Sequence, residues 1–276
     1  MTTVTFIGGG NMARALATGL LGDDAAGLTL RAADPDAGQR DALAALGVTT
    51  FADNALAADG ADALVLAVKP QILMPVIAAL PALPAPLLVI SIAAGIPIQA
   101  ISDACASRRE APASAQAVVR CMPNTPALLR AGVTGLFANE AVSAPQRALA
   151  EQILGAVGSV HWVPAEAQLD AVTAVSGSGP AYFFYLLEAM IEAGTALGLT
   201  PALARALATQ TALGAARMAT ETDTDPATLR HNVTSPGGTT EAAIRALEDA
   251  GVADSVGGAL HRAAARAQEM AKEFSQ

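Results

Sequence analysis

VTFIGGGNMARALATGLL, residues 4 to 21, decides how the rest of the chain is read. It begins as a β-branched, apolar strand, turns through three glycines and runs on as a helix of alanine and leucine. Gly8, Gly10 and Ala13 fit the pattern G-x-G-x-x-G/A, in which small residues allow a tight turn, close approach of a pyrophosphate and packing of helix on strand. The first amides of such a helix are unpaired and carry partial positive charge, which suits phosphate. The stretch predicts the opening unit of a dinucleotide-binding sheet.

Outward from it, strand and helix signals alternate. Leu28 to Ala33 reads as a strand, Ala37 to Leu46 as a helix, and Ala63 to Val68 and Leu87 to Ile92 as further strands. Ligands of an open parallel sheet bind at the carboxyl ends of its strands. Those ends carry Asp34-Pro35, Lys69-Pro70-Gln71 and Ala93-Ala94-Gly95. Asp34 stands where an acidic residue bonds the adenosine ribose and repels a 2′-phosphate, which leans toward NADH, while Arg31 and Arg40 nearby keep NADPH open. VVRCMPNTPALL, residues 118 to 129, starts as a strand and ends in a constrained Pro-Asn-Thr-Pro turn. A strand, a helix over Pro145 to Val157 and a last strand ending at Val163 follow, and from Glu166 onward strand signals stop.

The second half, Leu169 to Phe274, is built of helix formers, with Gly and Pro at the candidate ends. Within it SGSGPAYFFYLL, residues 176 to 187, sets helix breakers before a segment that is apolar on nearly every side. A small helical domain cannot cover such a helix alone, so a homodimer through this domain is expected. A membrane is excluded as the cover by Glu188 and Glu192 inside the segment. His231-Asn-Val-Thr-Ser-Pro-Gly-Gly-Thr-Thr-Glu241 makes a rigid turn before a helix over Glu241 to Ala250, and its outward amides offer a cradle for a carboxylate. The fold expected is α/β: an N-terminal Rossmann dinucleotide-binding domain over 1–164, then an all-α dimerisation and substrate domain over 165–276.

Composition narrows the function classes. With 53% hydrophobic residues in 276, the chain can bury a large core. A formal net charge of −9 opposes sequence-independent nucleic-acid binding, which needs basic surface. Cys105 and Cys121 lack metal or redox spacing and read as small buried hydrophobes; His161, His231 and His261 are scattered, so no metal site is expected. The longest apolar run, Ala85 to Ile98, is interrupted by Pro86, Gly95 and Pro97 and is shorter than the roughly 20 residues of a membrane span. Val4 to Ile7 begins an apolar strand almost at once, without the charged leader of a signal peptide, so a cytoplasmic protein is expected.

FIGGGNMA, AVKPQ, ISIAAGI, RCMPNTP, LDAVTAVSGSGPAYFF and NVTSPGGTTEAAI together resemble the pyrroline-5-carboxylate reductase family, in order and spacing, over the whole chain. The first two are generic to dehydrogenases, whereas SGSGPAY with TSPGGTT is specific to that family. The resemblance implies reduction of 1-pyrroline-5-carboxylate to L-proline by NADPH or NADH, a small imino-acid substrate, and a homodimer that can assemble into a ring of dimers. It places dinucleotide contacts on Ile7, Gly8, Gly9, Gly10, Asn11 and Met12, on Asn54, on Ala67, Val68, Lys69 and Pro70, and on Ile92, Ala93 and Ala94. Asp34 and Asp36 fall in the adenosine-ribose region. Substrate contacts fall on Glu166, Asn232, Thr239 and Thr240, with Ser235, Gly237 and Gly238 forming the cradle. In the implied chemistry the substrate carboxylate rests on amides from Ser235 to Thr240, Thr240 bonds the ring nitrogen, and Glu166 supplies a negative field or orders water. A rival reading is a 3-hydroxyacid dehydrogenase of the 6-phosphogluconate dehydrogenase type. It lacks its helical-domain lysine, because the only lysines are Lys69 and Lys272. A non-catalytic nucleotide-binding relative is the alternative from another class.

Overall fold

A computed structural model describes residues 1–22, 27–83, 86–107 and 115–273, so Ala85 and Phe274, named above, lie outside the described residues. The chain forms two compact units, Met1–Ser178 with Ala263–Gln276, and Gly179–Arg262. The first unit thus takes in residues beyond 164 and also the C-terminal end of the chain.

Among the described residues eight strands make one sheet: β1 (Thr2–Ile7), β2 (Leu28–Ala33), β3 (Thr49–Phe51), β4 (Ala63–Leu66), β5 (Leu88–Ser91), β6 (Ala117–Met122), β7 (Gly132–Ala138) and β8 (Gly158–Trp162). Their order is β3-β2-β1-β4-β5-β6-β7-β8. Successive side chains point to opposite faces, and both faces are covered, which is why the strands read as almost unbroken apolar runs. Val4, Phe6, Val65, Ile90 and Val119 enter one core. There they meet α1 (Asn11–Leu20) through Leu16 and Leu20 and α6 (Ala144–Gly155) through Ile153 and Leu154. Ile7, Leu64, Leu66 and Val89 enter the other core, with α4 (Pro70–Ala79) through Leu73 and Ile77 and α5 (Ile98–Ala106) through Ile101 and Cys105. The short helices α2 (Ala37–Ala44) and α3 (Asn54–Ala58) start on the carboxylate caps Asp36 and Asp53.

One strand departs from the parallel sheet expected. β7 runs antiparallel to β6, while every other pair is parallel. A parallel return needs a crossover of a dozen or more residues. Here the connection is the Pro-Asn-Thr-Pro turn and a single 3₁₀ turn, Thr125–Leu129. Asn124, buried, holds the turn: its Oδ1 accepts from the Val133 amide at 2.9 Å and its Nδ2 donates to the Ser176 carbonyl at 3.1 Å.

The second correction concerns SGSGPAY. After α7 (Gln168–Val172) the chain does not break; it widens into a π-turn over Thr173–Gly177, closed by the Ser178 amide on the Thr173 carbonyl at 2.8 Å, and passes into α8 (Gly179–Ala196). Pro180 sits in the first turn of α8, where its missing N–H costs nothing. The second unit continues with α9 (Pro201–Glu221), α10 (Pro226–Asn232), α11 (Thr239–Asp249) and the start of α12 (Val252–Glu273). Its caps follow sequence: Thr200 Oγ1 accepts from Leu203, and Asp225 from Ala227 and Thr228. Among the described residues no helix is long and apolar enough to cross a membrane.

Candidate active site

The strand register gathers the predicted dinucleotide contacts of the first unit on one sheet edge. Ile7 pairs with Ala33 and with Leu66, and Leu66 pairs with Ser91. The ladder extends one step past each strand: Gly8 donates to Ala33 O and Ala67 to Ile7 O, both at 2.8 Å, and Ile92 to Leu66 O at 3.2 Å. Ile7 to Met12, Asp34, Ala67 to Pro70 and Ile92 to Ala94 therefore follow the carboxyl ends of β1, β2, β4 and β5. Asn54 opens α3 three residues beyond Phe51, which is level with Ala33.

Each glycine of the turn has its own reason. Gly8 has φ +100°, and a Cβ there would stand 2.6 Å from Ala67 O. Only glycine lets β1 turn this close to β4. A Cβ on Gly9 would press on Leu43, Gln39 and Asp34. Gly10 is different: nothing lies within 4 Å of its Cβ position, and as N-cap of α1 it has no side-chain bond to the helix amides. Buried Ala13 seats the helix on the sheet. The turn thus presents open space and unpaired amides together, which fits a dinucleotide pyrophosphate.

At the ribose end, Asp34 Oδ2 accepts from the Gly9 amide at 2.7 Å and Oδ1 from the Asp36 amide at 2.9 Å. The carboxylate braces the glycine turn and remains beside it as a negative charge. The nearby arginines are turned to backbone. Arg40 Nη1 donates to the Asp34 and Pro35 carbonyls, both at 2.8 Å, and Arg31 Nη1 to the Asp59 carbonyl at 2.7 Å. Lys69, exposed, is the N-cap of α4 with Pro70 as its first residue.

Glu166 lies between β8 and α7 and is occupied. Its Oε1 accepts from Arg120 Nη1 and from the Ile98 amide, each at 2.7 Å. Nearby, burial raises the Asp170 carboxyl above the ordinary range, opposed by the charge of Arg120 and a hydrogen bond from Gln268 of α12 and reinforced by Glu166. Sequence reasoning passed over Arg120, Asp170 and Gln268. The signal for Arg120 was present: a permanent cation inside the apolar strand AVVRCM requires a partner. Neighbouring Cys121 is fully buried; burial pushes its thiol far above the usual value despite Arg120, so it is packing and not chemistry.

In the second unit the predicted substrate residues gather where α10 ends and α11 begins. Asn232 is the last residue of α10, and Ser235, Gly237 and Gly238 form the turn into Thr239 and Thr240, the first two residues of α11. All except Gly238 are exposed. The cradle is narrower than expected. Pro236 has no amide hydrogen, the Gly237 amide donates to Glu241 Oε2 at 2.8 Å, and the Gly238 amide to Ser235 O at 3.0 Å. Gly237 takes φ +69° to make this turn. Gly238, as N-cap, gives no side-chain cap, so among the described residues the amides of Thr239, Thr240 and Glu241 bond to nothing. These three open an 11-residue helix, whose N-terminal end carries partial positive charge.

Comparison with known proteins bears on both units. Residues 166–270 match the family described as pyrroline-5-carboxylate reductase dimerisation, and residues 3–95 the family described as NADP oxidoreductase, coenzyme F420-dependent. A pyrroline-5-carboxylate reductase of Pseudomonas aeruginosa is 50% identical over 99% of this chain and 98% of its own. The solved structure of a pyrroline-5-carboxylate reductase from Coxiella burnetii is 42% identical, covers 98% of each chain and superposes with a TM-score of 0.85. A Plasmodium falciparum pyrroline carboxylate reductase, solved with NADP bound, is 28% identical over 98% of each chain, with a TM-score of 0.81. With its turn, its sheet edge and its helical unit all matched over full length, the chain belongs to the pyrroline-5-carboxylate reductase family.

Proposed function

We propose that the chain reduces 1-pyrroline-5-carboxylate to L-proline, the final step of proline biosynthesis, with the substrate carboxylate held by the amides of Thr239, Thr240 and Glu241. The observation that carries this reading is the uncapped first turn of α11 behind Ser235-Pro-Gly-Gly, in a chain of this family. A reduced nicotinamide bound at the strand ends supplies the hydride. The rest falls to the chain's own groups. Protonation of the imine nitrogen makes C5 a strong electrophile, so no dedicated strong acid is needed once the iminium is selected and aligned. The Thr240 hydroxyl oxygen accepts the iminium N–H and keeps the proton on the ring nitrogen as C5 takes the hydride and the C=N bond becomes C–N. Asn232 and Ser235 fix the edge of the substrate, and Gly237 and Gly238 let its carboxylate approach the backbone.

For the dinucleotide, Ile7 to Met12 hold the pyrophosphate, and Asn54, Ala67 to Pro70 and Ile92 to Ala94 line its course. NADH is the preferred form. Asp34 and Asp36 set two carboxylates at the ribose end, and Arg40 spends Nη1 on backbone carbonyls. The enzyme works in the cytoplasm as a homodimer through residues 166–270, with a ring of dimers as the larger assembly. Purified protein given pyrroline-5-carboxylate should oxidise NADH faster than NADPH at equal low concentration and form proline mole for mole. Oxidation of neither dinucleotide would refute the function; faster use of NADPH would refute the preference alone.

A further inference from the structure

Arg120 stands in β6 with its side chain 9% exposed. A guanidinium keeps its charge at any working pH, so burying it needs a partner of matching charge and geometry. That partner, Glu166, is itself only 26% exposed, and the same Oε1 that meets Arg120 also accepts the Ile98 amide at 2.7 Å. The Ile98 amide is one of the donors at the start of α5 that have no partner within the helix, and Pro97 before it has no hydrogen to give. The carboxylate therefore ties the beginning of α5 to a residue buried in the sheet.

What lies between β5 and that tie is the loop Ile92 to Pro97. Inside it the Ala93 amide bonds Ser91 Oγ at 3.3 Å, and Gly95 turns the chain with φ +76°. Cys121, beside Arg120 on β6, donates to the Ser91 carbonyl at 3.3 Å. The loop is thus pinned at Ser91 by its neighbour strand and at Ile98 by Glu166. It carries Ile92, Ala93 and Ala94, the last of the strand-end residues in the dinucleotide reading.

We propose that Arg120 is a positioning residue for the dinucleotide: it holds Glu166 against the Ile98 amide and so sets the course of the Ile92–Pro97 loop. In this account Glu166 acts as a strut and not as a proton donor or substrate ligand. The carboxyl of Asp170 on α7, which is bonded by Gln268, feels the charge of the same guanidinium. The proposal rests on the dinucleotide reading of the sheet edge, yet it is tested by binding alone, without the imino acid.

The experiment titrates NADH into the full-length parent, Arg120→Met, Arg120→Lys and Glu166→Gln, following nicotinamide fluorescence, and takes the thermal midpoint of each. Arg120→Met should weaken NADH about tenfold, as expected for loss of a charge-assisted anchor. Arg120→Lys should recover most of that loss, and Glu166→Gln should resemble Arg120→Met. A further protein carrying both Arg120→Met and Glu166→Gln should bind no more weakly than either single variant, because both act through one contact. In turnover, kcat for Glu166→Gln should keep the parent's pH profile. NADH affinity within twofold of the parent in Arg120→Met, with only the thermal midpoint lowered, overturns the proposal. So does a limb of the pH profile lost in Glu166→Gln and kept in Arg120→Met, which would make Glu166 an acid or base. A parent that binds neither NADH nor, in a parallel titration, NADPH removes the reading beneath the proposal and the proposal with it. A parent that binds NADH but forms no proline removes only the assigned reaction.

Discussion

Two glycines of one turn should answer differently to the same added methyl group. Gly8→Ala is expected to destabilise the fold by about 1–3 kcal/mol, because φ is +100° and Ala67 O is 2.6 Å from the new carbon. Gly10→Ala meets no atom of the chain and sits at an N-cap, so its stability cost should stay below about 1 kcal/mol. Its NADH affinity should nevertheless fall about tenfold or more, since the methyl stands where the pyrophosphate must approach. Thermal melts beside NADH titrations separate the two effects, and unchanged binding in Gly10→Ala would mean that the turn holds no phosphate. At the ribose end, Asp34→Ser removes the charge that repels a 2′-phosphate and the Oδ2 that braces Gly9. The ratio of NADPH to NADH efficiency should rise about tenfold or more, measured as kcat/KM for each dinucleotide; a ratio equal to the parent's would show that Asp34 only braces the turn.

Elements were legible where pattern and chemistry agreed, as in β1, the glycine turn and α1, and in β2, whose ends match the expected Leu28 to Ala33. Three features were not. β3 has three residues, Thr49–Phe51, too few for a period to show. The reversal of β7 is a property of its connection and not of its own residues. The π-turn at Thr173–Gly177 is specified by i→i+5 closure, whereas Ser and Gly composition indicates a special helix entry without its form. The tie between β6, α5 and α7 also escaped, because Arg120 and Glu166 are 46 residues apart. This tie has a measurable pH signature through Asp170. Its folded carboxyl binds its proton more tightly than the unfolded one, because burial outweighs Arg120. As pH rises through the interval between the unfolded and the raised folded value, the native state holds the extra proton, and stability falls. Above that interval the loss is complete. Asp170→Asn removes the titration, so its stability relative to the parent should climb across the interval and then level off in urea melts. A difference that is flat with pH would show that Asp170 is not raised.

At the scale of the molecule, the second unit does not cover itself. Phe183, Phe184, Tyr185 and Leu186 of α8 are 67%, 59%, 76% and 55% exposed, and four consecutive residues span every side of a helix. An exposed apolar surface of this kind marks an interaction face, in keeping with the match to a dimerisation family over 166–270. Light scattering should give at least a dimer at micromolar concentration, and Phe184→Asp with Leu186→Asp should break it and lower the thermal midpoint; a parent that runs as a monomer would contradict this. The need for a cover was legible in the sequence, since apolarity on all sides is composition alone. The cradle was legible as a loop but not in its detail, because the bonds that spend Gly237 and Gly238 depend on how the turn closes. The chemistry at Thr240 is tested most directly by the steady-state reduction of pyrroline-5-carboxylate by the parent and Thr240→Ala, with NADH affinity measured alongside. Loss of the hydroxyl should lower kcat by about 10- to 1,000-fold while NADH binds as before; a variant that turns over at the parent's rate would contradict the account.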